Sequence, residues 1–357
     1  MYSSLRRARR QEQRLPLASS TAAAASSSQQ YEEITILLRS CSWADQATTS
    51  GCTDAAVALD TVMEVGFFRL MMPAYCWKSM RWLNIGPERK ARQGTHGAAR
   101  DHRGDDAKEE DHHMSFWTGK EQESVDIISS FLEDPDYANA DLLHAIIVSY
   151  ILTARDTIAT TLTWIFYNLA QNPNTMSIIH NELSPIASRK VALGASTLVI
   201  FEPDETKSLV YLTATLYETL RLYPPAPVLL KKVAVDDIML SGDEVHASDS
   251  IFISVHSMGT MEGVWGKDCL DYNPHRWLSD DGNNLKYIPS HKFLAFNSGP
   301  RMCLGKDIAL MQMKTVIATA VWNFDVKVVE GQSIQPKPSI ILEMKNGLIV
   351  KLKKREM

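Results

Sequence analysis

The chain has 357 residues, 45% hydrophobic and 22% charged, with a formal net charge of −5. That length and composition fit a soluble globular protein with a large core, and the negative charge argues against nucleic acid as a main partner. Cys41, Cys52, Cys76, Cys269 and Cys303 show no paired close spacing; such an odd, scattered set does not read as a disulfide framework or a zinc site, which makes a reducing compartment the default.

In chain order, 1–28 is a low-complexity head with Arg6, Arg7, Arg9, Arg10 and Arg14, one acid (Glu12) and an Ala/Ser run. The composition fits an organelle transit peptide, and a disordered or misassigned start is the reading preferred. Tyr31 to Leu38 carries too little pattern to place, so 1–53 is treated as one low-complexity or disordered segment. Residues 54–90 have helical spacing through Val57, Leu59, Val62, Met63, Val65 and Phe67, then Tyr75, Trp77 and Trp82; plain core is the competing use of so many aromatics. Residues 91–122 form a linker, Gly- and charge-rich from Ala91 to His113, expected to be solvated and disordered. Its His102, His112 and His113 have no metal-ligand spacing. The remainder, 123–357, holds every motif below.

Ala140 to Gln171 reads as one helix closed by Asn172-Pro173. It would span roughly 45 Å at the usual rise, and it is apolar nearly all round, so burial is expected. Thr153, Arg155, Asp156 and Thr157 interrupt it. A membrane span is disfavoured, because each mid-helix charge would cost about 3 kcal/mol there. An acid beside a hydroxyl in mid-helix can instead deliver protons into a site closed to bulk water; a structural ion pair is the plainer option.

Leu209, Leu212, Leu216 and Leu220 form the stripe of a further helix that Pro224-Pro225 ends. Glu218 and Arg221 share one of its faces; exposed, such a pair contributes only about 0.2–0.5 kcal/mol. Ile251, Ile253 and Val255 alternate as a strand after the turn-like Ser241-Gly242-Asp243. Ser339 to Met344 and Leu348 to Leu352 read as a hairpin turning at Asn346-Gly347.

The most informative stretch is Phe296-Asn297-Ser298-Gly299-Pro300-Arg301-Met302-Cys303-Leu304-Gly305. Gly299 and Gly305 let backbone approach something bulky. A helix mouth favours thiolate at Cys303, and Arg301 offers a fork suited to a carboxylate. A thiolate beside a large flat partner bearing carboxylates is what axial ligation of haem iron requires.

The pattern F-x-x-G-x-R-x-C-x-G is met throughout and resembles the haem-binding loop of the cytochrome P450 family. The resemblance implies a mainly α fold with small β sheets, incomplete at its N-terminal side. It implies iron protoporphyrin IX (haem b) as cofactor, Cys303 as iron ligand, Arg301 as partner of a haem propionate, and Phe296 beside the sulfur. Thr153-Ala154-Arg155-Asp156-Thr157 resembles the family's A-G-x-D-T motif, which makes Asp156 the relay acid and Thr157 the hydroxyl that steers protonation. Two departures stand here: Thr153-Ala154 replaces the small pair, and Ile158 the second hydroxyl.

Glu218 and Arg221 resemble the family's buried E-x-x-R pair, and Arg276 in Tyr272-Asn273-Pro274-His275-Arg276-Trp277 resembles the arginine that joins it. His275 replaces the usual glutamate, which puts support of Arg276 in doubt. Val228 and Leu229 correspond to a strand lining the active site, so both are expected to touch substrate. Residues 54–90 resemble the segment over the substrate pocket. Met258 to Asp268 is similar to plant members that hydroxylate fatty acids or very-long-chain alkanes.

Those likenesses imply a monooxygenase fed by NADPH through NADPH-cytochrome P450 reductase, at the endoplasmic reticulum membrane surface. Trp77-Lys78-Ser79-Met80-Arg81 has the letters of a propionate-binding W-x-x-x-R, but its surroundings match the pocket segment. The chain is shorter than the family's usual length. A non-enzymatic remnant or gene-model fragment with an incomplete haem pocket therefore stands as the alternative function.

Overall fold

A computed structural model describes residues 34–38, 50–92, 140–194, 198–337 and 339–355. The head through Glu33 and most of the charged linker with its histidines, where disorder is expected, lie outside the described residues.

Strand β1 (Ile34–Leu38) is followed by α1 (Ser50–Met71) and α2 (Ala74–Leu83). Next come α3 (Ala140–Gln171) and α4 (Pro173–Ala192), with Asn172 between them. The short α5 (Pro203–Thr206) precedes α6 (Val210–Leu222). Four strands follow: β2 (Val228–Lys232), β3 (Asp237–Ile238), β4 (Glu244–Val245) and β5 (Ser250–Ser254). After α7 (Val255–Gly259) and α8 (Glu262–Trp265) come two 3-10 turns, Pro274–Trp277 and Gly299–Arg301. Helix α9 (Lys306–Asn323) and strands β6 (Phe324–Val328) and β7 (Leu348–Lys354) complete the described chain. Among the described residues the architecture is mainly α with three small antiparallel sheets, ordered β1-β7-β6, β2-β5 and β3-β4.

The core forms where α3, α4, α6 and α9 meet. On α6 the predicted stripe is buried, with Leu209, Leu212, Leu216 and Leu220 at most 2% exposed, and they pack with Ile165, Leu169, Ile179, Leu183 and Ile317. Each such side chain contributes about 1.5–3 kcal/mol of burial. A second cluster joins Trp164 and Phe166 of α3 to Val326, Leu348 and Val350 of the three-stranded sheet. Helix α3 is buried over only part of its length. Its side chains enter the core from Ile158 onward, whereas Leu142 and Tyr150 are exposed.

Three expectations differ from the structure. Within 1–53, Ile34–Leu38 forms a strand, because its apolar, β-branched residues pair in register with Leu348–Leu352. The expected hairpin of 339–344 with 348–352 does not form. Strand β7 pairs with β6 and β1 instead, and 339–344 spends its backbone groups elsewhere. Leu342 donates its N–H to Pro225 O at 3.0 Å and accepts Trp164 Nε1–H at 2.8 Å, while Lys337 N–H binds Glu343 O. The Asn346-Gly347 turn is present, with Gly347 at φ 69°. Finally, Tyr75 and Trp82 of α2 are exposed, and Trp77 lies beneath the Arg69 guanidinium, 5.3 Å from its ring centre. Among the described residues no helix is long and apolar enough to cross a membrane.

Candidate haem-thiolate site

The buried acid on α6 organises the region behind the cysteine loop. Glu218 is fully buried. Arg221 Nε and Nη2 reach its two oxygens at 2.8 Å each, and the guanidinium also donates to the carbonyls of Gly259, Cys269 and Asp271. All five guanidinium donors are thereby used. Glu218 also accepts Trp277 Nε1–H at 2.8 Å, Asn273 N–H at 2.9 Å and Arg276 Nε–H at 3.1 Å. A buried carboxylate needs this many donors to offset its desolvation.

Arg276 therefore reaches Glu218 despite His275. Its support comes from Asp268, whose carboxylate and carbonyl both accept Arg276 Nη2–H, at 3.0 and 2.9 Å. The hydrogen bond and charge of Arg276 hold the Asp268 carboxyl below the usual carboxylate range. Burial works to lower the Arg276 pKa, but Glu218 and Asp268 together raise it. Nearby, burial pushes up the Tyr272 hydroxyl, which bonds to Thr215 O and Thr219 Oγ1. Gly259 is required at this contact, since a Cβ there would lie 2.1 Å from Arg221 O.

The cysteine loop is built on the opposite principle. Asn297 and Gly299 both adopt positive φ, 61° and 65°. Asn297 Nδ2 donates to Arg301 O at 3.0 Å, and Cys303 N–H closes the loop onto Phe296 O at 2.8 Å. Gly305 caps the N-terminus of α9. Phe296 lies under the Lys306 ammonium, 5.6 Å from its ring centre. Cys303 is exposed, and Arg301 makes no side-chain hydrogen bond or ion pair among the described residues.

A cavity of about 300 Å³ opens over this loop. Its wall brings together Thr157 of α3, Leu229 of β2, and Phe296, Arg301 and Cys303 of the loop. Ala309 and Met313 of α9 also line it; sequence reasoning missed both, though they share one helix face four residues apart. A Cβ at Gly299 or Gly305 would meet nothing within 4 Å, so those glycines leave space beside the cysteine and are not demanded by neighbouring protein atoms. A thiol, an unpaired guanidinium and an aromatic around an open, largely apolar space form a donor set that fits haem.

Two other expected residues are placed differently. Asp156 is buried and paired to the adjacent Arg155, at 2.6 and 3.0 Å, and it does not line the cavity. Val228 lines a second cavity of about 310 Å³, with Phe67, Leu70, Pro227, His256 and Ile340. Successive residues of a strand point to opposite faces, which separates Val228 from Leu229. Leu70 and His256 were not anticipated, and the partner role of Asp268 was hidden in a stretch noted only for its family likeness.

A cysteine in a glycine-flanked loop, a triad of Glu218, Arg221 and Arg276 behind it, and a long helix lining the same cavity as the cysteine define the class of haem-thiolate proteins. The family profile described as cytochrome P450 matches residues 86–352, and the chain belongs to that family. It is 37% identical over 309 residues to alkane hydroxylase MAH1 of Arabidopsis thaliana, covering 84% of this chain and 58% of that protein. Cytochrome P450 86B1 of the same plant is 36% identical over 310 residues, covering 85% and 55%. Noroxomaritidine synthase of Narcissus aff. pseudonarcissus MK-2014 is 35% identical over 304 residues, covering 84% and 58%. The chain thus spans little more than half the length of these relatives.

Proposed function

We propose that this chain is the haem-binding part of a monooxygenase that inserts one oxygen atom of O2 into a C–H bond of a long aliphatic chain, a fatty acid or a very-long-chain alkane. Electrons would come from NADPH through NADPH-cytochrome P450 reductase, at the endoplasmic reticulum membrane surface. The observation that carries this reading is the single cavity joining Cys303 and Arg301 to Thr157 and Leu229. There Cys303 Sγ would hold haem through its iron, Arg301 would pair with a haem carboxylate and Phe296 would pack beside the sulfur. When bound, haem supplies the oxidising chemistry.

The side chains of this protein supply position and protons. Thr157 Oγ1 donates to Thr153 O at 2.7 Å while its side chain faces the cavity; released from that carbonyl, it can hold or pass a proton there. Asp156 is the acid behind it, and a relay through its carboxylate begins with release from Arg155. Leu229, Ala226 and Ile158 give the cavity apolar walls suited to an alkyl chain. The name of one relative, alkane hydroxylase MAH1, supports the aliphatic reading.

Expression with haem supply, reduction and addition of carbon monoxide tests it. The expected result is a red-shifted, thiolate-type Soret band that is lost in Cys303→Ser. Folded protein without that band would overturn the enzyme reading and leave the non-enzymatic remnant.

A further inference from the structure

The second cavity has a chemistry of its own. Phe67 and Leu70 of α1 form one wall, and Val228, Ile340 and Leu342 face them. Val228 and Ser254 are cross-strand partners in the β2-β5 pair, so both point to this side of the sheet. The chain then turns, and His256 N–H binds Pro227 O at 3.2 Å, which keeps the imidazole against the same wall. His256 is half-buried, and its ring makes no hydrogen bond or ion pair with any described residue. It is the one titratable side chain among the described residues lining this cavity. Pro225 and Ala226 line the first cavity and Pro227 and Val228 the second, so one backbone segment is a wall of both.

We infer that His256 is a specificity-determining residue that hydrogen-bonds the carboxyl end of an aliphatic chain lying against Phe67, Leu70, Val228 and Ile340. The inference rests on the hydroxylase reading and deepens it: a fatty acid is selected over a bare alkane. An imidazole with no protein partner in an apolar wall keeps one donor and one acceptor free for a ligand that pairs with it. Burial lowers the His256 pKa, so the ring is neutral at neutral pH. A carboxylate entering this apolar space then leaves a net charge unless one proton is taken up with it. The bound pair, imidazole plus carboxyl plus one shared proton, is neutral overall. With the acid end held here, the alkyl chain runs past Pro227 toward Cys303.

Calorimetry on the full chain, loaded with haem during expression, with dodecanoic acid and dodecane at pH 8 tests this. His256→Phe should weaken dodecanoic acid about tenfold, roughly the worth of one hydrogen bond to a charged group. It should leave dodecane unchanged, and His256→Gln should restore part of the loss. Enthalpies in buffers of different ionisation heat should show about one proton taken up per dodecanoic acid in the native protein and none in His256→Phe. Equal losses for acid and alkane, or acid binding without proton uptake, would overturn the role of His256. The carbon monoxide band on the same samples reports separately on the hydroxylase reading, so either can fail alone.

Discussion

Arg221 and Arg301 carry the same guanidinium in opposite circumstances. Arg221 is 2% exposed and spends all five donors on Glu218 and three carbonyls. Arg301 is exposed and stands beside Cys303 over a cavity. One charge is satisfied inside the chain, between α6 and the segments around Gly259 and Asp271; the other is exposed at the cavity, with no side-chain partner among the described residues. Where an arginine's donors go decides whether its loss is felt in the fold, and stability measurements should separate the two regions.

The largest effect is expected at Glu218. Glu218→Ala strands Arg221 as a buried cation and takes an acceptor from Arg276, Trp277 and Asn273. Removing one partner of a buried pair costs about 3–5 kcal/mol, which denaturant unfolding would detect as a lower midpoint or as loss of cooperative folding. A cost below about 1 kcal/mol would show that the cluster is not the keystone its geometry implies. Gly259→Ala comes next. Its Cβ would meet Arg221 O at 2.1 Å, a backbone atom that cannot swing away, and overpacking of this kind costs about 1–3 kcal/mol.

Asp268 sharpens the comparison further, because it is the exposed end of the same cluster. Its folded pKa lies below the ordinary value of 3.8. The stability it contributes is therefore present above about pH 4 and is lost as pH falls through the folded pKa. Asp268→Asn should flatten that acid limb and cost less than either change above. An unchanged acid limb would mean that Arg276 takes its support from Glu218 and backbone carbonyls alone.

How much of this was legible in the sequence follows from how local each signal is. The bounds of α3 were read correctly, since Asn172-Pro173 is a local stop signal. The Cys303 loop was legible because its requirements fall within ten consecutive residues. The burial of only part of α3 was not legible, because periodicity reports which face is apolar and says nothing about which neighbours arrive. Strand β1 and the misread hairpin share a cause: β7 could pair with either 339–344 or its actual partners, and the choice was made by Trp164 and Pro225, far away in sequence. Asp268 was missed for the same reason. A carboxylate eight residues before Arg276 is unremarkable until α8 and the Pro274–Trp277 turn bring it within 3.0 Å.

The smallest expected change in stability belongs to the residue proposed to ligate the haem iron. Cys303 is exposed, and its one structural bond on the closing side of the loop, from its backbone N–H to Phe296 O at 2.8 Å, does not involve the sulfur. Cys303→Ser should therefore move apo-protein stability by no more than about 0.5 kcal/mol, the usual range for a surface substitution, while abolishing the thiolate-type band. Unfolding of the haem-free variant beside the native chain checks the first half. A loss of several kcal/mol would place Cys303 with Arg221, among residues that hold the fold together. A neutral result with the band gone would place it with Arg301, in a loop whose shape is set by Asn297 and Gly299 and whose side chains are kept for a cofactor.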